Sequence, residues 1–155
     1  GNVLESTGSV IPFFKSLLQN GCDHLPITHK DMTRFLLSLN QATDLIDWAY
    51  SSEESHGKIA VPKIKSLKVT DVAKCLLTFY GKEDIPFKYI GMRRGEKLHE
   101  EMISEDEWMR TEEHENYLIG TEYLSDDRKS YNSFDSLMDS SEAFNFLKDN
   151  GVVNV

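Results

Sequence analysis

An arginine and a glutamate stand three positions apart in a short turn with a glycine at its start and another inside it, at residues 91–97. A guanidinium offers several donors in one plane and can hold a diphosphate through two oxygens. A carboxylate can accept hydrogen bonds from a ribose or sugar hydroxyl. Arg93 and Glu96 therefore predict a clamp for a nucleoside diphosphate. Because an isolated Arg-x-x-Glu pair is common on protein surfaces, this interpretation depends on the rest of the chain.

The elements on either side of this turn are predicted from apolar spacing. Alternation over residues 87–92 predicts a strand that ends at the turn. The spacing of Leu98 and Met102 predicts a helix over residues 96–103. The turn would then connect a strand to a helix, which is a common position for ligand-binding residues.

Strand and helix patterns alternate over the rest of the chain, which predicts an α/β fold. An apolar stripe after Pro12 predicts a helix that ends at Gly21, and residues 25–28 are predicted to be extended. Residues 58–62 have the short apolar pattern of a buried parallel strand.

Two further helices are predicted between these strands. One runs over residues 40–52 with Asn40 as N-cap, and its inward residues are Ala42, Leu45, Ile46 and Ala49. The other is capped near Thr70 and ends at Gly81, with Asp71 on its solvent side. A final short helix is predicted over residues 141–148.

Length and charge restrict the classes of function. The chain has 155 residues, 39% hydrophobic and 28% charged, as expected for one globular core. Its net charge of −9 argues against nucleic acid as a partner, so a diphosphate needs a local cationic spot. The candidate cations are Arg34, Arg93, Arg94 and Lys97. No apolar run is long enough to span a membrane.

The two cysteines are far apart in the sequence and match no disulfide or zinc pattern. Cys22 and Cys75 are therefore expected to be reduced thiols, and we expect a cytoplasmic protein. His24, His29 and Asp31 match no usual ligand spacing, so no metal site is expected. The acidic residues from Glu100 to Glu107 are interpreted as a solvated helix face.

Three segments occur in an order that indicates a family. Residues 1–14 read GNVLESTGSVIPFF, Met32-Thr33-Arg34 follows, and the Arg93 and Glu96 turn comes last. Together they resemble the C-terminal part of the extended short-chain dehydrogenases/reductases, in particular the UDP-N-acetylglucosamine 4,6-dehydratases of polysaccharide biosynthesis. The resemblance covers roughly residues 1–110. It implies a Rossmann-like α/β fold with a substrate-binding subdomain, followed by an acidic appendage at residues 111–155.

The resemblance also implies which residues contact ligands. Those implied for a UDP-sugar substrate are Asn2, Val10, Thr28, Arg34, Arg93 and Glu96, with Arg93 on the diphosphate and Glu96 on the ribose. Those implied for the nicotinamide end of NADP are Val3, Leu4, Glu5, Ser6 and Thr7. Relatives often carry Gly and Arg at positions 5 and 7, so this chain departs from the family there.

The family's catalytic motifs do not occur in this sequence. None of the six tyrosines is followed by a lysine four residues later, and no glycine-rich dinucleotide-binding turn occurs. We therefore expect the chain to be the substrate-binding part of such an enzyme, without the dinucleotide-binding half and inactive by itself. The resemblance implies a homo-oligomer for the full-length protein.

Two alternatives stay open at this stage. One is a nucleotide-sugar epimerase or reductase on the same scaffold. The other is a non-catalytic, truncated module that binds a partner through its acidic C-terminal region.

Overall fold

The computed structural model describes residues 2–153, which form a mixed α/β fold, as predicted. The helices of this described part are α1 (Val10–Gln19), α2 (Leu39–Ser51), α3 (Val69–Phe79), α4 (Glu105–Trp108) and α5 (Ser140–Asp149). Its strands are β1 (Asn2–Val3), β2 (Leu25–Ile27), β3 (Thr33–Leu37), β4 (Ala60–Pro62), β5 (Ser66–Lys68), β6 (Phe87–Tyr89), β7 (Glu101–Ile103), β8 (Thr111–Glu113), β9 (Tyr117–Gly120) and β10 (Tyr131–Asn132). A 3-10 helix covers Glu53–Ser55.

The strands form four small sheets. In the first, β3 lies between β1, which is parallel to it, and β5, which is antiparallel. Strands β2 and β6 form a parallel pair, and β7 and β10 form an antiparallel pair. The fourth sheet has the order β4-β9-β8 and is antiparallel. The parallel pairs bring the ends of distant segments to common edges, where ligands usually bind in α/β folds.

The main hydrophobic core is built around α3. This helix packs against α1 and α5, and it buries eight residues, including Val72 and Leu76. Leu18 of α1 and Leu147 of α5 are fully buried in the same cluster. Gly81 follows the end of α3 with a positive φ of 60°, as expected for a residue that terminates a helix. The domain boundary near residue 110 stays a prediction, and α5 contributes side chains to the core of the N-terminal segments.

Helix α2 is attached to the fold differently. Ser38, rather than the predicted Asn40, is its N-cap, because the Ser38 side chain and Gln41 form a reciprocal capping box. The helix has no buried residue, and Ile46, predicted to face inward, is 67% exposed. Its partly buried side chains hold it to the fold. One of them is Trp48, whose ring stacks on Tyr117 with centroids 3.9 Å apart.

Two predicted elements are wrong. Residues 96–103 contain no helix and instead form an irregular segment that leads into β7. Strand β4 is antiparallel to β9 and half-buried, whereas a buried parallel strand was predicted. A short apolar run carries no information about the direction of its partner, because that partner lies far along the chain.

The N-cap of helix α3 lies two residues earlier than predicted. Lys68 is its N-cap, so Thr70 and Asp71 lie in its first turn and are only 7% and 8% exposed. Asp71, predicted to face solvent, is therefore buried, with Lys74 as an ion-pair partner at 3.5 Å.

Two other observations bear on the protein's environment. Within residues 2–153, no helix has the length and apolar character needed to cross a membrane. Cys22 and Cys75 are both free, and burial raises the pKa of the Cys75 thiol above its ordinary value.

Candidate functional site

The turn that carries Arg93 and Glu96 is closed by two reciprocal hydrogen bonds. The Arg93 amide donates to Glu96 Oε2 at 2.9 Å, and the Glu96 amide donates to the Arg93 carbonyl at 3.0 Å. Gly91 and Gly95 both have φ of 82°, a conformation that favours glycine. Within residues 2–153, the Arg93 guanidinium makes no hydrogen bond or ion pair. The turn therefore presents an uncommitted cation to solvent.

Thr28 lies beside the start of this turn. Strands β2 and β6 run parallel, with Ile27 paired to Tyr89, and the Ile90 amide donates to the Ile27 carbonyl at 2.9 Å. Thr28 directly follows β2, and Gly91 follows Ile90. The half-buried Thr28 and the turn therefore occupy the same edge of a parallel pair.

Arg34 holds the segment that follows the turn. Its guanidinium donates to the carbonyls of Thr33 at 2.7 Å, Leu98 at 3.2 Å and Lys97 at 2.9 Å. It also lies 3.7 Å from Glu96 Oε1. With a side chain only 18% exposed, Arg34 uses most of its donors inside the protein. Its predicted contact with a diphosphate stays a prediction.

Glu100 connects Asn2 to Arg34, and the sequence did not single it out as a site residue. Its carboxylate accepts from Asn2 Nδ2 at 3.1 Å and from the Phe35 amide at 2.9 Å, and it lies 3.8 Å from Arg34 Nε. Glu100 was expected on a solvated helix face. It belongs to no helix, and its side chain is 31% exposed. We name Asn2, Arg34, Glu96 and Glu100 the polar network.

The polar network joins three segments that are distant in the sequence. It connects the start of β1 and the start of β3 to the turn, and it includes three of the six predicted substrate residues. Arg93 lies on the turn, and Thr28 lies at the neighbouring strand end. Val10 is separate, because it begins α1 and packs against the main core. Two carboxylates and one guanidinium thus fix the backbone around the free Arg93 side chain.

The predicted cofactor segment forms the loop between β1 and α1. Val3 and Leu4 pack against the two hydrophobic clusters, and the Leu4 amide donates to the Leu37 carbonyl at 2.9 Å. Ser6 and Thr7 are exposed. Glu5 is the one non-glycine residue of the described chain with positive φ, at 56°, and its carboxylate pairs with Lys15.

Ser9, the N-cap of α1, adds an unsatisfied group at the end of this loop. Its side chain makes no capping bond, and its Oγ is buried without a hydrogen-bond partner among the described residues. A buried hydroxyl without a partner is uncommon in native proteins, and one explanation is a missing ligand or water.

Comparison with known proteins identifies what this arrangement resembles. A family model described as polysaccharide biosynthesis protein matches residues 1–122. A UDP-N-acetylglucosamine 4,6-dehydratase (inverting) of Campylobacter jejuni is 47% identical over 118 residues, which cover 76% of this chain and 33% of that protein. A UDP-glucose 4-epimerase of Rickettsia bellii is 38% identical, with the same coverage of 76% and 33%. The chain thus spans about a third of the length of these relatives.

A solved structure shares the fold. The X-ray structure of Pen from Bacillus thuringiensis superposes with a TM-score of 0.86 at 27% identity. The match covers 99% of this chain and 48% of that one. Every element that positions the polar network therefore lies within a fold known from a longer protein.

Proposed function

Because the chain belongs to the polysaccharide biosynthesis protein family, we propose that it binds the UDP-sugar substrate of a nucleotide-sugar 4,6-dehydratase. The family agrees with the resemblance to the extended short-chain dehydrogenases/reductases that the sequence indicated. The observation that supports the binding role is the free Arg93 guanidinium on a turn fixed by the polar network. The relative from Campylobacter jejuni supports UDP-N-acetylglucosamine as the substrate.

Each residue has a distinct part in this proposal. Arg93 holds the diphosphate, because its guanidinium carries a positive charge and its N–H donors are uncommitted within residues 2–153. Glu96 accepts from the ribose through the carboxylate that also closes the turn. Arg34 and Glu100 position the turn and Asn2, and the Asn2 amide contacts the substrate beside them. Thr28 and Val10 line the nucleotide pocket at the adjacent edge and at the start of α1.

The loop formed by residues 3–7 fits one end of a nicotinamide cofactor, for which NADP is proposed. Lys15 neutralises the Glu5 carboxylate, which removes the repulsion that an acid would exert on a phosphate-bearing ligand. Ser6 and Thr7 leave exposed hydroxyls beside the buried, unsatisfied Ser9 Oγ. When bound, the cofactor supplies hydride transfer. The residues of this loop would orient it.

Calorimetric titration of this chain with UDP tests the binding role. A charged hydrogen bond contributes about 1.5–3 kcal/mol, so Arg93→Ala should weaken UDP binding roughly tenfold or more. Arg128→Ala is the matched control, because Arg128 is exposed and pairs, among the described residues, only with Asp106 at 3.8 Å. It should change the affinity less than about twofold.

Equal affinities for the two variants would contradict the proposal, and so would the absence of UDP binding by the unaltered chain. Circular dichroism of both variants checks that a loss of affinity is not a loss of fold. Within residues 2–153 the Arg93 guanidinium makes no hydrogen bond or ion pair, so both variants should retain the native spectrum.

A nucleotide-sugar 4-epimerase is the second candidate. The 38% identity to the Rickettsia bellii protein over the same segment supports it, because that relative is named as an epimerase. Product analysis separates the two in a protein that joins this segment to a catalytic half. A 4-keto-6-deoxy sugar would identify a dehydratase, and an epimerised sugar would identify an epimerase.

A further inference from the structure

A cavity lies at the start of α3. It has a volume of about 580 Å³ and lies among the starts of α3 and α5 and strand β6. Its polar lining includes Lys30, Lys68, Thr70, Asp71, Lys74 and Asp139, and its aromatic lining is Phe87 and Tyr89. It shares no lining residue with the candidate substrate site.

Thr70 is a nearly buried polar residue at this cavity whose side chain has no hydrogen-bond partner among the described residues. The residue is only 7% exposed and lines the cavity, yet its hydroxyl makes no hydrogen bond within residues 2–153. The Thr70 oxygen itself is not fully inaccessible, so it can be reached from the cavity. The sequence predicted a helix cap near Thr70, but Lys68 occupies the N-cap position and makes no side-chain capping bond. The first turn of α3 thus points an unused hydroxyl into the cavity from a helix end with a partial positive charge.

Two of the three lysines at the cavity add positive charge that no ion pair within the described residues neutralises. Lys30 and Lys68 make no ion pair within residues 2–153. Lys74 lies 3.5 Å from Asp71.

The carboxylates at the cavity are already engaged. Asp71 has Lys74 as a partner, and Asp139 caps α5 by accepting from the Glu142 amide at 2.8 Å. Glu142 in turn pairs with Lys65 at 2.7 Å. The groups left uncommitted around the cavity are therefore donors: two ammonium groups, one hydroxyl and the part of the first turn of α3 that follows Val69, whose own amide donates to the Met32 carbonyl at 3.0 Å.

From this set of donors we propose that the cavity binds a phosphate dianion. Helix N-termini combined with lysines and a hydroxyl are the usual components of phosphate sites. The dianion is either inorganic phosphate or the phosphate group of a monoester. Tyr89, which is 55% exposed, offers a ring on which the organic part of a monoester can stack.

NMR titration of this chain with inorganic phosphate at fixed ionic strength tests the proposal. Phosphate should shift the Thr70 and Asp71 amide signals saturably. Lys30→Gln combined with Lys68→Gln should weaken binding about tenfold or more, and Thr70→Val should weaken it about threefold or more. Thr70→Ser, which keeps the hydroxyl, should bind nearly as well as the unaltered chain.

Lys63→Gln combined with Lys129→Gln is the matched control, because it also removes two positive charges, from exposed lysines that pair with Glu113 and Asp127, each at 2.7 Å. It should leave the affinity unchanged within about twofold. An equal loss in this control would overturn the proposal, since it would show that anions are attracted only by the overall field. The absence of a saturable shift at Thr70 and Asp71 would overturn it as well.

Titration with a second ligand distinguishes inorganic phosphate from a phosphate monoester. Adenosine monophosphate should bind more tightly than inorganic phosphate if the natural ligand is a monoester, and Tyr89→Leu should remove only that gain. Equal affinities would identify inorganic phosphate. If neither ligand bound, the assignment of this cavity would be wrong, while UDP binding at Arg93 would be unaffected.

Discussion

Helices α2 and α3 have similar lengths and similar apolar spacing, yet they are held by different kinds of contact. Helix α3 buries eight of its residues between α1 and α5. Helix α2 buries none, and its residues Leu39, Ile46 and Tyr50 are 71%, 67% and 86% exposed. Apolar periodicity therefore predicts that a helix forms, whereas neighbours from distant segments decide whether its apolar face is covered.

The largest effect is expected from Leu76→Ala in α3. Leu76 is fully buried, so its truncation leaves a cavity and should lower the free energy of unfolding by about 2–5 kcal/mol. Urea denaturation followed by circular dichroism measures this loss. Thr78→Ala on the exposed side of the same helix is the control and should change stability by less than about 0.5 kcal/mol. A loss below about 1 kcal/mol at Leu76 would mean that α3 is not the centre of the core.

An intermediate effect is expected from Ser38→Ala at the start of α2. This change removes an acceptor 3.2 Å from the Gln41 amide and should cost about 0.5–2 kcal/mol. Ser51→Ala, at the exposed end of the same helix, is the control and should cost less than about 0.5 kcal/mol. Equal costs for the two changes would show that the capping box does not set the start of α2.

The smallest effect is expected from Ile46→Ser. Because Ile46 is 67% exposed, the substitution should change the free energy of unfolding by less than about 0.5 kcal/mol. The measurement is repeated at two protein concentrations. A larger, concentration-dependent loss would reveal that another copy of the chain covers this face of α2, and the contrast with α3 would then disappear.

The clamp turn was predictable because its determinants are local. Glycines at 91 and 95 permit positive φ, and three-residue spacing lets Glu96 reach the Arg93 amide. The contact of Arg93 with a diphosphate stays a prediction, because it concerns a ligand rather than the chain. Local geometry thus fixes how the turn folds.

The segment after the turn was not predictable from spacing. Leu98 and Met102 have helical periodicity, but the carbonyls of Lys97 and Leu98 accept from Arg34, and the Glu100 carboxylate accepts from Asn2. These partners lie more than sixty residues away in the sequence. A single sequence carries no signal of such contacts, so Glu100 looked like one more acid in a solvated run.

Glu5 shows a related difference between the chain and its relatives. The resemblance implies glycine at this position in relatives, and the φ of 56° at Glu5 is a conformation that favours glycine. A side chain in this conformation is strained by about 1 kcal/mol. The Glu5 carboxylate forms an ion pair with Lys15.

The stacking of Trp48 on Tyr117 makes α2 optically distinct from the rest of the molecule. The chain has two tryptophans, Trp48 and Trp108, and α3 contains neither. Detachment of α2 from β9 would separate the rings and change the near-ultraviolet circular dichroism and emission of Trp48. Loss of far-ultraviolet signal would instead follow the melting of all helices. With Trp108 replaced by phenylalanine, the Trp48 signal would report the undocking of α2 alone. The far-ultraviolet signal would report unfolding of the whole chain.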